Sequence, residues 1–158
     1  MFIVLTWIHL LAAMVWIGGM LFLTLVLVPV MRHPLFLSQR GALFRAVALR
    51  FRTIVWAAMA VLVTTGPVLM SRRVASLPDP SSWPAILKLK LALVATMIGV
   101  TMLHDFWLGP MVSRMKQAAA QGSQPSRRVL VGMAPWIARL GLVLGLAVLF
   151  AAVALVRT

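Results

Sequence analysis

The chain contains no cysteine and no tyrosine, and only two acidic residues, Asp79 and Asp105, occur among its 158 positions. Without cysteine there are no disulfides, thiolate metal sites, iron–sulfur clusters or cysteine nucleophiles. Any metal must be held by His, Met, Lys or oxygen ligands. The shortage of acids argues against a hydrolase. A Ser/His/Asp assembly would need a serine inside one of the long apolar stretches, and none contains one.

Against this scarcity stand fifteen Lys and Arg, a net charge of +13, and 63% hydrophobic residues. A soluble domain of this size needs a mixed, charged surface. Here the basic residues come in bursts between apolar stretches of about 20 residues or more, the length that crosses a bilayer core as a helix. Basic clusters at the ends of such stretches are topology and lipid-headgroup signals. No basic patch sits on a soluble domain, so the partner these charges imply is the lipid bilayer and not nucleic acid. The first segment lacks a basic leader and is about twice the length of a signal-peptide core, so it reads as a retained span.

The expected fold class is all-α: one integral-membrane four-helix bundle over residues 1–158, with both termini on the same side. The spans fall at about 2–31, 53–70, 86–109 and 136–156, and the loops at 32–52, 71–85 and 110–135. Residues 32–52 carry five Arg, and Arg114, Lys116, Arg127, Arg128 and Arg139 follow the third span. These ten face Arg72, Arg73, Lys88, Lys90 and Arg157 on the other side. By the positive-inside rule the first and third loops are cytoplasmic and both termini lie outside, as in a multi-pass protein of a bacterial inner membrane. Pro29 and Pro34 are expected to close the first span and Gly109-Pro110 to stop the third, with 35–52 an amphipathic lead-in helix. Trp83 and Trp136 fall at expected interfaces. GLVLG, residues 141–145, offers a close-approach surface on the fourth span and leaves a homo-oligomer open.

Polar side chains inside the bilayer are costly and therefore informative. On the first span His9, Ala13, Trp16 and Met20 are 4, 3 and 4 residues apart and share one face, with Ala12 and Gly19 forming a low wall beside it. A planar group could lie there. On the third span Lys90, Val94, Met97, Thr101 and His104 share a face, while Lys88 points the opposite way and can snorkel. Counting about 1.5 Å per residue puts His9 roughly 10 Å and Lys90 about 6 Å below the outer end, but His104 about 27 Å down. His9 and His104 are thus not expected to be the two axial ligands of one haem. His9 and Lys90 can share a site, with Thr64 and Thr65 at a similar level. At the inner end an Asp105–Arg139 ion pair would account for both charges. Each reading has a plain alternative: His9 as an interhelical hydrogen-bonding group, His104 as a helix-end or headgroup contact, and the methionines as packing.

The first span, IHLLAAMVWIGGMLFLTLVLVPV, resembles the opening helix of the copper-resistance protein D (CopD) family in its histidine, the tryptophan seven residues later, the paired glycines and the following proline. Here these are His9, Trp16, Gly18, Gly19 and Pro29. LHDFWLGP, residues 103–110, is similar to the HD-x-x-LGP ending of small CopD-like membrane proteins. The resemblance implies copper uptake or resistance, with a periplasmic copper-binding protein as partner. A second resemblance is to HemJ, the membrane protoporphyrinogen oxidase, whose histidine, tryptophan and later lysine correspond to His9, Trp16 and Lys90.

Three functions follow as expectations. In a CopD-like copper-handling protein, His9 would bind copper with help from soft side chains such as Met20, and His104 would be a further metal-ligating candidate. In a haem b redox protein, His9 would be the axial ligand, with Trp16, Lys90 and Met97 contributing to the cofactor site; this is the enzymatic reading, a haem-dependent oxidoreductase. An accessory membrane subunit would use the same residues for helix packing and hold no cofactor.

Overall fold

The computed structural model describes residues 2–36, 38–74, 76–111, 114 and 128–157, with backbone alone at 128–135, 137, 138 and 157. It is all-α, with four helices long and apolar enough to cross a membrane. We label them α1 (Phe2–Val30), α2 (Arg40–Met70), α3 (Ala85–Met111) and α4 (Arg128–Arg157). Short 3₁₀ turns occupy Pro34–Phe36 and Pro80–Ser82. The helical form follows from the solvent: in hydrocarbon no water can satisfy backbone N–H and C=O groups, and a helix satisfies them within one segment. The chain divides into two compact units, Met1–Pro84 and Ala85–Thr158. In the first α1 packs on α2, and in the second α3 packs on α4.

The first unit is an antiparallel hairpin in which contacts at three levels fix the register. Near the chain start the Arg72 guanidinium lies 3.7 Å from the centroid of the Phe2 ring. One turn or more deeper, His9 meets Thr65. Further along, the Phe51 ring lies where a side chain on Gly19 would have to stand. Between these, α1 buries Ala12, Trp16 and Ile17, and α2 buries Val55, Ala58, Met59 and Thr65. Ala12, Ala58 and Gly19 are small, which lets the two backbones approach closely, as is usual where lipid supplies no hydrophobic drive for helix pairing. Ile3, Trp7, Met14 and Leu25 are exposed and form the apolar exterior that acyl chains would solvate. The connection after α2 has its own hydrogen bonds. The Asp79 side chain accepts from the Ser81 backbone N–H at 3.0 Å, and the Trp83 indole N–H donates to the Ser76 carbonyl at 2.9 Å.

α1 and α3 share a local device. Each contains one stretch of wider, π-helical winding, Leu23–Leu27 in α1 and Leu103–Leu108 in α3, and each stretch ends two residues before a proline, Pro29 or Pro110. Proline lacks an N–H, and in regular α-winding its ring collides with the carbonyl four residues back; widening the preceding turn relieves that collision. The closing bonds run from Val28 N–H to Leu23 O and from Gly109 N–H to His104 O. A Cβ on Gly109 would sit 3.3 Å from the His104 carbonyl oxygen, so glycine lets that turn close without crowding.

The windings carry α1 and α3 past their prolines, and the other two helices also start earlier than expected. Pro29 lies within the last turn of α1, and Gly109-Pro110 does not stop α3, which runs on to Met111. The expected loop 32–52 contracts: the lead-in and the second span are one unbroken helix, Arg40–Met70, because nothing in RGALFRAVALRFR breaks α-winding. α4 begins at Arg128 instead of 136. The loop expected at 110–135 falls largely outside the described residues.

Gly18 and Gly19 offer a matched test. Gly18 has nothing within 4 Å of an added Cβ, whereas Gly19 abuts Phe51. Gly18→Ala should raise stability by up to about 1 kcal/mol through helix propensity, and Gly19→Val should lower it by about 1–3 kcal/mol through overpacking. Thermal unfolding of the detergent-purified protein checks both.

Candidate functional site in the first helix pair

His9 is half-buried on the face of α1 that meets α2, and its Nδ1 lies 2.7 Å from Thr65 Oγ1. Thr65 is the buried polar residue among the described residues, and its Oγ1 is also 2.6 Å from the Val61 carbonyl oxygen, one turn back. These two distances decide the protonation pattern. A hydroxyl has one proton, and a carbonyl can only accept. If that proton pointed at His9, two oxygens would face each other lone pair to lone pair at 2.6 Å. Thr65 therefore donates to Val61 and accepts from His9, so Nδ1–H of His9 is the donor across the helix pair. In the neutral ring this makes Nε2 the lone-pair nitrogen, the atom that would take a proton or a metal.

Gly66 lies against the ring: a Cβ there would stand 3.9 Å from His9 Cε1, an ordinary contact. Thr64, the neighbour of Thr65, points elsewhere: it is exposed and donates to the Ala60 and Val61 carbonyls at 2.9 and 3.0 Å. Trp16, two turns along α1 from His9, is the largest fully buried side chain among the described residues, at 2% exposure.

Two expectations for this face change. The low wall at Gly19 does not stand open for a planar ligand, because the planar group that occupies it is the Phe51 ring. Met20 shares the face of His9, but α1 is unbroken α-helix from Phe2 to Phe22, so the eleven steps from one to the other separate the two by about 16 Å along the axis. His9 and Met20 cannot ligate one ion. Met14 is exposed on another face.

In the second unit Lys90 is half-buried, Lys88 is exposed, and Met97 is buried, so α3 has the two-sided character its spacing predicts. Thr101 donates to the Met97 carbonyl at 2.8 Å. His104 lies in the widened turn with its Nδ1 3.1 Å from Asp105 Oδ1. A carboxylate accepts only, so His104 is the donor. Arg139, expected opposite Asp105, instead holds its guanidinium 4.8 Å from the centroid of the Trp136 ring. Among the described residues no group of three or more His, Cys, Asp or Glu could hold a metal ion. Thr65 and Phe51 are the residues whose roles the sequence underdetermines. The signal for both lies in the antiparallel register, since each α1 position pairs with an α2 position as far from the connecting turn.

Residues 11–121 match the family described as "Domain of unknown function (DUF4149)", and the chain belongs to that family. The matched region contains Trp16, Thr65, Lys90, Met97, His104 and Asp105, and begins two residues after His9. No curated protein and no solved structure matches the chain.

Removing the acceptor tests the tautomer and its worth together. Thr65→Val should lower stability by about 0.6–1.7 kcal/mol, the range for hydrogen bonds between membrane helices, while Thr65→Ser should keep most of it. Nitrogen-15 spectra of labelled histidine should show His9 protonated at Nδ1 in the wild type; a protonated Nε2 in the neutral ring would contradict the assignment.

Proposed function

We propose that this member of the domain-of-unknown-function family is a CopD-like protein of a bacterial inner membrane that handles copper, with both termini outside and His9 Nε2 as the point where the metal is met. The observation that carries this reading is the Thr65-anchored imidazole. A metal-binding histidine characteristically donates its other ring N–H to a fixed acceptor, which sets the tautomer and the ring's aim. The motif resemblance of the first helix and of LHDFWLGP supplies the choice of copper.

The donor set limits what such a site does. The first hairpin offers a single nitrogen at the level of His9, with Met20 about 16 Å away. One imidazole is too few to store copper, but it suits a metal that arrives with another ligand, such as one on a periplasmic carrier protein, and leaves again. A weak, exchanging site is what passage of a cargo ion requires.

A haem b reading is favoured by the same Thr65-anchored imidazole, since an axial histidine also donates its other ring N–H to a fixed acceptor. His9 would then be the axial ligand through Nε2, and the group would supply one-electron redox chemistry. With the Gly19 side filled by Phe51, the room for a porphyrin would have to lie on the Gly66 side.

Copper loading of the reconstituted wild type, His9→Ala and Thr65→Val, read with an absorption spectrum, separates these readings. His9→Ala should abolish copper binding, and Thr65→Val should weaken it by about ten- to a hundred-fold. Copper content and cellular copper tolerance indifferent to His9→Ala would refute the proposal. A Soret band lost on His9→Ala would transfer the site to haem, and neither signal in the wild type would leave an accessory subunit.

A further inference from the structure

We propose that the α1–α2 connection end of the first hairpin is a binding site for an acidic phospholipid, with the phosphate on arginines and the acyl region on an apolar recess beside them. α2 is one helix of 31 residues, about 46 Å long, against a hydrocarbon core of roughly 30 Å. Its apolar part, from Thr53 on, already spans that core. The stretch before it, carrying Arg40, Arg45 and Arg50, is therefore held rigidly at and beyond the headgroup layer.

All three of these arginines are exposed, as is Arg32 at the end of α1. Among the described residues none of the four makes an ion pair. The one acid of this unit, Asp79, follows the far end of α2, where its carboxylate accepts from Ser81. These four exposed guanidiniums are spread along and around the headgroup end of the hairpin, Arg40 to Arg50 covering about 15 Å of α2, with no counter-charge from their own unit, and arginine binds phosphate through paired N–H groups.

The second observation identifies the anion as part of a lipid. Directly beside Arg32 lies an open recess of about 480 Å³, lined by Pro29, Val30, His33, Leu35 and Phe36. Its walls are nearly all apolar, and Leu35 is 79% exposed at its rim. A free phosphate ion gains nothing from such a surface, whereas a glycerophospholipid presents phosphate and hydrocarbon in one molecule. Clusters of four or more basic residues abutting a membrane span are the sequence form of acidic-lipid recognition.

The test uses the full chain in mixed micelles of phosphatidylcholine with a minority of phosphatidylglycerol, re-isolated and its retained lipid quantified by mass spectrometry. Phosphatidylglycerol should be enriched several-fold over its share of the mixture, and the enrichment should fall as salt rises. Arg32→Gln, Arg40→Gln and Arg45→Gln combined should bring the ratio to within about two-fold of the mixture, while Arg73→Gln, at the opposite end, should leave it unchanged. A wild-type ratio equal to the mixture would overturn the proposal, and this readout needs no variant to fold. Equal loss with Arg73→Gln would also overturn it, by reducing the effect to net charge. Displacement of the lipid by millimolar inorganic phosphate would show a plain anion site and overturn the lipid assignment.

Discussion

Everything in this molecule answers to one constraint: in hydrocarbon, a polar group that finds no partner within the protein has none at all. The backbone meets it by winding into four long helices. Threonine meets it by bonding backwards, with Thr6, Thr53, Thr64, Thr65, Thr96 and Thr101 each donating to the carbonyl four residues earlier. The two prolines near the ends of α1 and α3, which would break an α-ladder, are absorbed by a turn of wider winding, so the helices continue past them. Each of these solutions is local, and each leaves the segment self-sufficient.

His9 is where local satisfaction is insufficient. Its imidazole reaches across to the oxygen of a threonine whose proton is already committed to Val61. The chain Nδ1–H to Oγ1, then Oγ1–H to carbonyl, turns a back-bonded threonine into a directional acceptor. Its consequence is chemical as well as structural, because it settles which ring nitrogen keeps its lone pair. The same geometry serves a helix clamp and a ligand mount, which is why copper content or a spectrum, and not stability alone, separates those roles.

Packing around that bond follows the rule for membrane helices, with small residues at the contact and large ones outside. Gly19 and Phe51 illustrate its strictness: the space that a missing side chain leaves on α1 is taken by an aromatic ring from α2. Toward the connection the balance reverses. There α2 is longer than a hydrocarbon core is thick, and its first turns carry exposed arginines, Arg40, Arg45 and Arg50.

The sequence by itself determined the all-α class, the number of membrane-length segments and the face of α1 that carries His9, since hydropathy and helical periodicity are properties of single segments. It also separated Lys88 from Lys90. What it could not determine was how segments meet. The seat of Phe51 on Gly19, the choice of Thr65 over Thr64 as acceptor and the departure of Arg139 toward Trp136 all depend on which residues of different turns or helices come within a few ångströms. Only the tertiary structure decides those distances, and with them which nitrogen of His9 donates and which can accept.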